Sequence, residues 1–287
     1  MNLFNKISKS VVLVLALAAS VAACQKIVHP ALGDYPKDTN PIGGPLKFNA
    51  AFENITADSI RAQFAAVDSS TSYVTGTSGK AIQFNPVLGS KGADSIFSFL
   101  QYPSANDFAA TATSFTFSFW LNCPLTKKDY VNADAILALA STSNFWGNIT
   151  VFADHTSDHS DSMALKFHFA NGSGDNWDFA GYTGAKSWPH MYDGNWHQVA
   201  FSYDATSKTA TLYRDGAQFD QKTNETIAFD GNASNLIVGG FEQAANIQGS
   251  YAANTWMNGW PGAVDNLRFY AVALSAANVA ALYGGKQ

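Results

Sequence analysis

The chain has 287 residues, of which 47% are hydrophobic and 14% aromatic, enough apolar material for the core of one large domain or two small ones. Only 14% of the residues are charged, as is common in extracellular β proteins, and the formal net charge is -5. No basic cluster of the kind that follows a phosphate backbone occurs, which argues against nucleic acid as a partner.

The N-terminus carries the features of an export signal. An apolar run from Val11 to Ala23 follows two lysines and is shorter than the roughly 20 residues that a membrane-spanning helix needs. The small residues before Cys24 resemble the lipobox of bacterial lipoproteins, which implies cleavage before Cys24 and lipidation of its thiol. The alternative is an ordinary signal peptide followed by a chance cysteine. Gln25 favours an outer-membrane lipoprotein and leaves open whether it faces the cell surface or the periplasm.

Two boundaries follow from this interpretation. Residues 1–23 are the predicted lipoprotein signal peptide, and residues 24–45 are the lipidated cysteine and a flexible tether, because the segment after Cys24 holds four prolines and three glycines with little periodicity. If Cys24 is acylated, Cys123 has no cysteine partner. It follows an apolar strand, so we expect it to be a small buried hydrophobe.

Short strands separated by turn residues are predicted from Leu46 onward. The stretch 114–122 alternates with a period of two, which is typical of a half-buried strand. Phenylalanine rings and a leucine lie on its apolar face, and the polar face includes Trp120. The same pattern recurs at residues 80–86, 95–102, 135–141, 148–154, 163–171, 196–204, 209–216, 235–241 and 263–273.

The connection "DHTSDHSD" at residues 154–161 contains His155 and His159, four residues apart. On a helix, side chains four residues apart share one face and can bind the same metal ion. This segment instead joins two predicted strands, so the spacing alone does not indicate a metal site. A transition-metal site, a solvated loop and a loop at a ligand rim all remain open.

Several later loops are rich in aromatic and amide side chains without apolar periodicity. Such loops often bind ligands, and flat rings with nearby polar groups suit a glycan. The alternative is that the rings cover the ends of the domain as hydrophobic lids. The candidate carbohydrate-binding residues are Trp146, Asp175, Asn176, Trp177, Trp188, His190, Tyr192 and Trp256.

The C-terminus ends in one predicted helix. Ser275 is a plausible N-cap of the stretch "SAANVAALYGG", and Gly284 is a plausible C-terminal stop. Many short strands with regular turns and one terminal helix indicate an all-β fold, an antiparallel two-sheet jelly-roll sandwich. With no internal repeat, residues 46–287 are predicted to form a single domain.

Five segments together carry a family resemblance: residues 79–84, 114–122, 193–216, 235–240 and 262–285. They resemble laminin G-like domains of the concanavalin A-like lectin/glucanase superfamily. Together with the N-terminus, the whole chain resembles a lipoprotein of a Bacteroides-like bacterium that carries such a domain. The resemblance implies two curved antiparallel sheets, but it does not imply one function.

The resemblance also assigns expected roles to single residues. Trp196 and His197 recur in the motif and are expected to pack at a strand start, with the imidazole hydrogen-bonded. Asp265 matches a recurring aspartate, which implies a structural calcium ion held with backbone carbonyls. The alternatives are that Asp265 only orders a turn or pairs with Arg268.

Catalysis is not expected, although the sequence does not exclude it. Laminarinase-like relatives place carboxylates on one strand as Glu-x-Asp-x-x-Glu, and the three glutamates here, Glu53, Glu225 and Glu242, do not form that pattern. We therefore predict a non-catalytic carbohydrate-binding lipoprotein of the cell envelope, attached to the membrane only through its lipid. The alternatives are a module that binds an envelope protein, and an atypical glycoside hydrolase that uses aspartates.

Overall fold

The structure is a computed structural model that describes residues 44–67, 70–85, 98–154, 160–172, 174–177, 187–245 and 254–287. The predicted signal peptide, Cys24 and most of the tether lie outside these residues, as do His155 and His159. Within the described ranges, no helix combines the length and apolar character that crossing a membrane requires.

Sixteen strands are present in the described part of the chain, together with two α-helical segments and two 3-10 turns at Leu125–Lys127 and Glu242–Ala245. In chain order the strands and α-helical segments are β1 (Leu46–Ala50), β2 (Ala66–Val67), β3 (Ser72–Thr75), β4 (Lys80–Gln83), β5 (Leu100–Tyr102), α1 (Phe108–Thr111), β6 (Phe115–Pro124), β7 (Ala133–Ser141), β8 (Ile149–Asp154), β9 (Ala164–Asn171), β10 (Gly174–Asn176), β11 (Asp193–Asp204), β12 (Thr209–Arg214), β13 (Ala217–Thr223), β14 (Ala233–Val238), β15 (Met257–Gly259), β16 (Ala263–Tyr270) and α2 (Ala276–Gly284).

The strands form two sheets. The first sheet has the order β13-β12-β11-β6-β16-β4-β3, with β1 paired to β16, and the second has the order β10-β9-β8-β7-β14-β5-β2, with β15 paired to β7. All pairs are antiparallel except β15 with β7. The two sheets stack as the predicted jelly-roll sandwich, and the predicted short C-terminal helix is present.

Period-two alternation creates the core between the sheets. The rings of Phe115, Phe117 and Phe119 on β6 are buried, and those of Phe115 and Phe117 contact Phe169 of the opposite sheet. Phe169 of the second sheet lies 4.3 Å from Phe201 of the first, measured between ring centroids. Aromatic contacts of this kind contribute about 0.5–1.5 kcal/mol beyond the burial of area.

Strand β6 differs from the predicted half-buried strand because its polar face is also buried. The chain after β16 crosses that face, where the Leu274 N–H donates to Thr116 Oγ1 at 2.8 Å. Farther along, the ring of Tyr283 stacks on Trp120 with centroids 5.3 Å apart. The sequence pattern of one strand could not reveal this cover, because it comes from residues more than 150 positions away.

Three local predictions are confirmed. Ser275 caps α2 by accepting a hydrogen bond from the Asn278 N–H, and the helix ends at Gly284. Cys123 is fully buried, and this burial raises the pKa of its thiol. His197 is buried at the start of β11, where Nδ1 lies 3.0 Å from Asp215 Oδ2 and Nε2 lies 3.2 Å from Asp193 Oδ1.

Candidate functional site

A second hydrophobic cluster lies on the outer face of the second sheet. In β8, Ile149, Val151 and Ala153 point into the core, so Phe152 points to the outer face and is the base of this cluster. Half-buried tryptophans from three loops pack on and around it. We call this group the tryptophan platform; its members are Trp146, Phe152, Trp177, Phe241 and Trp256.

The rings of the platform support one another. The Trp146 centroid lies 4.7 Å from that of Trp177 in an edge-to-face contact and 5.8 Å from that of Trp256. Trp146 also stacks nearly parallel on Phe152, and Phe241 lies 5.7 Å from Trp256. Because each tryptophan has several ring neighbours, its orientation is restricted before any ligand arrives.

A histidine–aspartate contact joins the base of the platform to its rim. His168 of β9 is fully buried, and its Nε2 lies 2.9 Å from Oδ1 of Asp175 on β10. The Asn144 side-chain amide donates to the same oxygen at 3.0 Å. Burial lowers the pKa of His168, and the hydrogen bond to Asp175 opposes this only in part. The imidazole is therefore neutral near pH 7 and donates its single proton to the carboxylate.

The loop that carries Trp146 is braced from the other side by Asp230. Its Oδ1 accepts from the Asn148 amide at 2.9 Å, and its Oδ2 accepts from Ser143 at 3.1 Å and from Ser141. Partial burial alone would raise the pKa of Asp230, but these hydrogen bonds outweigh it and lower the pKa. The sequence offered no signal for this brace, because Asp230 lies in an unremarkable turn far along the chain.

Four of the predicted sugar-binding residues meet in this one place: Trp146, Asp175, Trp177 and Trp256. Asn176 is their neighbour in sequence, but its amide donates to the Thr226 carbonyl, on the far side of β10.

The other three predicted residues do not join the platform. Trp188 and Tyr192 are buried in the main core, where Trp188 stacks on Phe219 with centroids 4.4 Å apart. Neither ring is therefore available to a ligand, and the structure removes both from the candidate site. His190 is exposed, and its Nδ1 lies 2.6 Å from Asp161 Oδ2.

Asp265 is a fully buried residue of β16 in the first sheet. Its Oδ2 accepts from the Thr77 N–H and hydroxyl, both at 2.8 Å, while its buried Oδ1 has no hydrogen-bond partner. Burial raises the pKa of this carboxyl to about 6. Glu53 accepts from the Lys80 N–H on the same 76–80 turn. Asp265 and Glu53 thus place two carboxylates at this turn, and carboxylate oxygens are ligands that Ca²⁺ takes. Among the described residues, no group of three or more His, Cys, Asp or Glu side chains that could hold a metal ion occurs. Arg268 instead donates to Asn49.

A concave surface among the described residues lies beside α1. It is an open groove of about 360 Å³ whose lining offers few polar groups to orient a sugar. Its lining is Ala109, Ala110, Ala112, Thr113, Ala205, Ile227, Ala228 and Phe229.

Solved structures with a similar fold include domain 4 of AbnA, a GH43 extracellular arabinanase from Geobacillus stearothermophilus, in complex with arabinotriose. It is 18% identical, with a TM-score of 0.54, and the match covers 83% of this chain and 98% of that one. The binding domain of Paraclostridial Mosquitocidal Protein 1 is also 18% identical, with a TM-score of 0.56 and coverage of 84% and 52%.

The binding domain of botulinum neurotoxin DC in complex with rat synaptotagmin II is 14% identical, with a TM-score of 0.52 and coverage of 86% and 52%. This chain thus spans about half the length of the two toxin chains. These likenesses show the fold alone. No curated protein matches the chain. The Laminin_G_3 family model, described as concanavalin A-like lectin/glucanases superfamily, matches residues 97–280, more than half of the chain. The chain therefore belongs to the concanavalin A-like lectin/glucanase superfamily.

Proposed function

We propose that this protein is a non-catalytic, carbohydrate-binding protein of the cell envelope, and that the tryptophan platform is its glycan site. The observation that carries the proposal is the convergence of three half-buried tryptophans from separate loops on one sheet face. Asp175 and Asn144 add a carboxylate and an amide at the rim of the same cluster.

This arrangement suits a sugar for physical reasons. A sugar ring has one or two flat apolar faces and a periphery of hydroxyl groups, so it needs an aromatic surface flanked by hydrogen-bonding groups. The platform rings are held by one another and by the Asp230 brace, so little side-chain entropy is lost when a ligand binds. The similar arabinanase domain solved with arabinotriose supports the same class of ligand.

A glycan array followed by calorimetry tests the proposal. Trp177→Ala and Trp256→Ala should each weaken binding by about tenfold or more, as expected for aromatic residues at a binding hot spot. Phe64→Ala is the matched control, since Phe64 is an aromatic residue that is 57% exposed and does not belong to the platform. A folded protein that binds no glycan, or platform variants that bind as well as the parent, would contradict the proposal.

Two other activities are separate outcomes of the same experiments. Capture of an envelope protein through a surface unaffected by the platform variants would favour a protein-binding module, a mode of binding that the toxin domain with synaptotagmin also displays. Release of reducing ends from a bound oligosaccharide, abolished by Asp175→Asn, would indicate an atypical glycosidase instead.

The attachment to the envelope is part of the proposal. Cleavage before Cys24 and acylation of its thiol would tether the domain through the proline-rich segment that precedes Leu46. Metabolic labelling with a fatty-acid probe should mark the parent chain, and Cys24→Ser should abolish both the label and the membrane fraction. Equal labelling of the two chains would refute the anchor.

We also propose that Asp265 and Glu53 hold a structural calcium ion at the 76–80 turn. The unpartnered, buried Oδ1 of Asp265 supports this, because an isolated buried carboxylate oxygen costs free energy that a cation would offset. The ion would stabilise the fold and would take no part in sugar binding, since Asp265 is on the first sheet and the platform is on the second.

A further inference from the structure

The charges around the tryptophan platform indicate which class of glycan it accepts. Lys166 of β9 is the basic side chain at the platform, with its ammonium 5.9 Å from the centroid of the Phe152 ring. In the described part of the chain, no other lysine or arginine lies over a platform ring. The charge of Lys166 is offset by Asp154 on the neighbouring strand, with which it forms an ion pair.

Acidic groups, in contrast, are numerous around the platform. Asp175 stands at the rim with a side chain that is 43% exposed. Asp230 and Glu242 brace the loop that carries Trp146 from the opposite side. The imidazole of His168 is neutral near pH 7 and adds no positive charge. The platform therefore lies in a local field that is negative, in a chain whose net charge is also negative.

From these charges we infer that the platform selects neutral glycans and rejects uronic-acid-containing or sulfated ones. This inference rests on the proposed function and narrows its ligand class. A sugar carboxylate placed on the rings would approach carboxylates of the protein, while the one ammonium over a platform ring in the described part of the chain is already paired with Asp154. Like charges brought together across a binding surface cost affinity, and this cost decreases as salt screens it.

The experiment compares neutral oligosaccharides with their uronic-acid counterparts, in which the primary hydroxyl is oxidised to a carboxylate. On an array and then by calorimetry at low salt, the uronate form should bind about tenfold or more weakly than its neutral parent. This ratio should shrink as the ionic strength rises to about 0.5 M, where the Debye length falls to a few ångströms.

Two variants test the assigned cause. Asp154→Asn releases Lys166 from its ion pair with Asp154. The ratio of the affinity for the neutral glycan to that for the uronate should therefore fall by at least about threefold, while the affinity for the neutral glycan stays unchanged. Lys166→Gln removes the ammonium beside the Phe152 ring and should widen the ratio. Unchanged melting temperatures would show that both variants are folded.

The outcomes separate the two levels of the proposal. Uronate binding that equals or exceeds neutral binding at low salt overturns the inference and leaves the glycan site standing. A ratio that neither variant changes overturns the electrostatic cause and with it the inference. Binding to no member of either series, by a folded protein, removes the proposed function itself.

Discussion

The fully buried imidazole of His168 places its Nε2 atom 2.9 Å from Oδ1 of Asp175, a residue whose side chain is 43% exposed. The contact joins β9, which belongs to the body of the sheet, to β10, the short edge strand that leads into Trp177. One hydrogen bond thus connects the interior of the fold to the rim of the tryptophan platform. Its protonation state has consequences for both stability and binding.

We expect His168 to destabilise the fold at acidic pH. Burial holds its folded-state pKa below the unfolded value of about 6.5, so the unfolded chain takes up a proton first as the pH falls. The free energy of unfolding should therefore decrease from about pH 6.5 downward, and His168→Gln should reduce that dependence. Urea denaturation between about pH 5 and pH 8 measures it. An identical pH profile for the two proteins would contradict the assignment.

His197 should show the opposite sign. The hydrogen bond to Asp215 raises its folded-state pKa although burial opposes the rise. Its contribution to stability is therefore fully present below about pH 6.5 and is lost as the pH rises through the raised pKa. The loss of stability caused by His197→Gln should be larger at pH 5.5 than at about pH 8. If the stability lost through His197→Gln instead increases with pH, the ion pairs of His197 with Asp215 and Asp193 do not form.

Gly216 is expected to tolerate alanine poorly. It forms the turn between β12 and β13 with a φ of +75°, and a Cβ placed on it would lie 2.7 Å from Cβ of Tyr283. Gly231 has a similar φ of +77° with no atom within 4 Å of such a Cβ, so it is the matched control. Gly231→Ala should cost about 1–2 kcal/mol of backbone strain, and Gly216→Ala should cost clearly more.

The excess at Gly216 should depend on Tyr283. Displacing that ring uncovers Trp120, so tryptophan fluorescence of Gly216→Ala should shift to longer wavelength. In the Tyr283→Gly background the two glycine substitutions should cost similar amounts, because the Cβ of Tyr283 that a side chain at position 216 would meet is then absent. Equal costs in the parent background would refute the close approach.

Calcium should stabilise the parent chain through Asp265. Removing calcium with a chelator should lower the melting temperature, and adding calcium back should return it to its original value. The reason is that an ion that binds only the folded state stabilises that state by mass action. Asp265→Asn should abolish this response, whereas Asp220→Asn on the edge strand β13 should keep it. If the melting temperature of the parent chain does not change when calcium is removed or added, the proposed calcium site is wrong.

Much of the fold was predictable from local pattern, since the period-two segments 114–122, 148–154 and 163–171 correspond to β6, β8 and β9. The short strands β2, β10 and β15 were not predicted. They have two or three residues each, too few to show a period, and they exist because a neighbouring strand offers unpaired backbone groups.

The candidate site was only partly predictable. Tryptophans in loops without periodicity pointed to a ligand surface, but Trp146 and Trp188 have equally irregular surroundings in sequence. Trp188 lies against Phe219 in the core, and Trp146 lies half-buried on the outer face of the second sheet. Only the packing of distant segments distinguishes them.

The sequence by itself determined that this chain builds two stacked sheets, since alternating apolar side chains can be removed from water on one face only when strands pair and layers pack. The tertiary structure alone decided which rings, carboxylates and amides stand together outside that core. Such groups lie far apart in the sequence: Asn148 meets Asp230 across 82 positions, and Trp146 meets Trp256 across a longer stretch. No short-range periodicity encodes a contact of that kind.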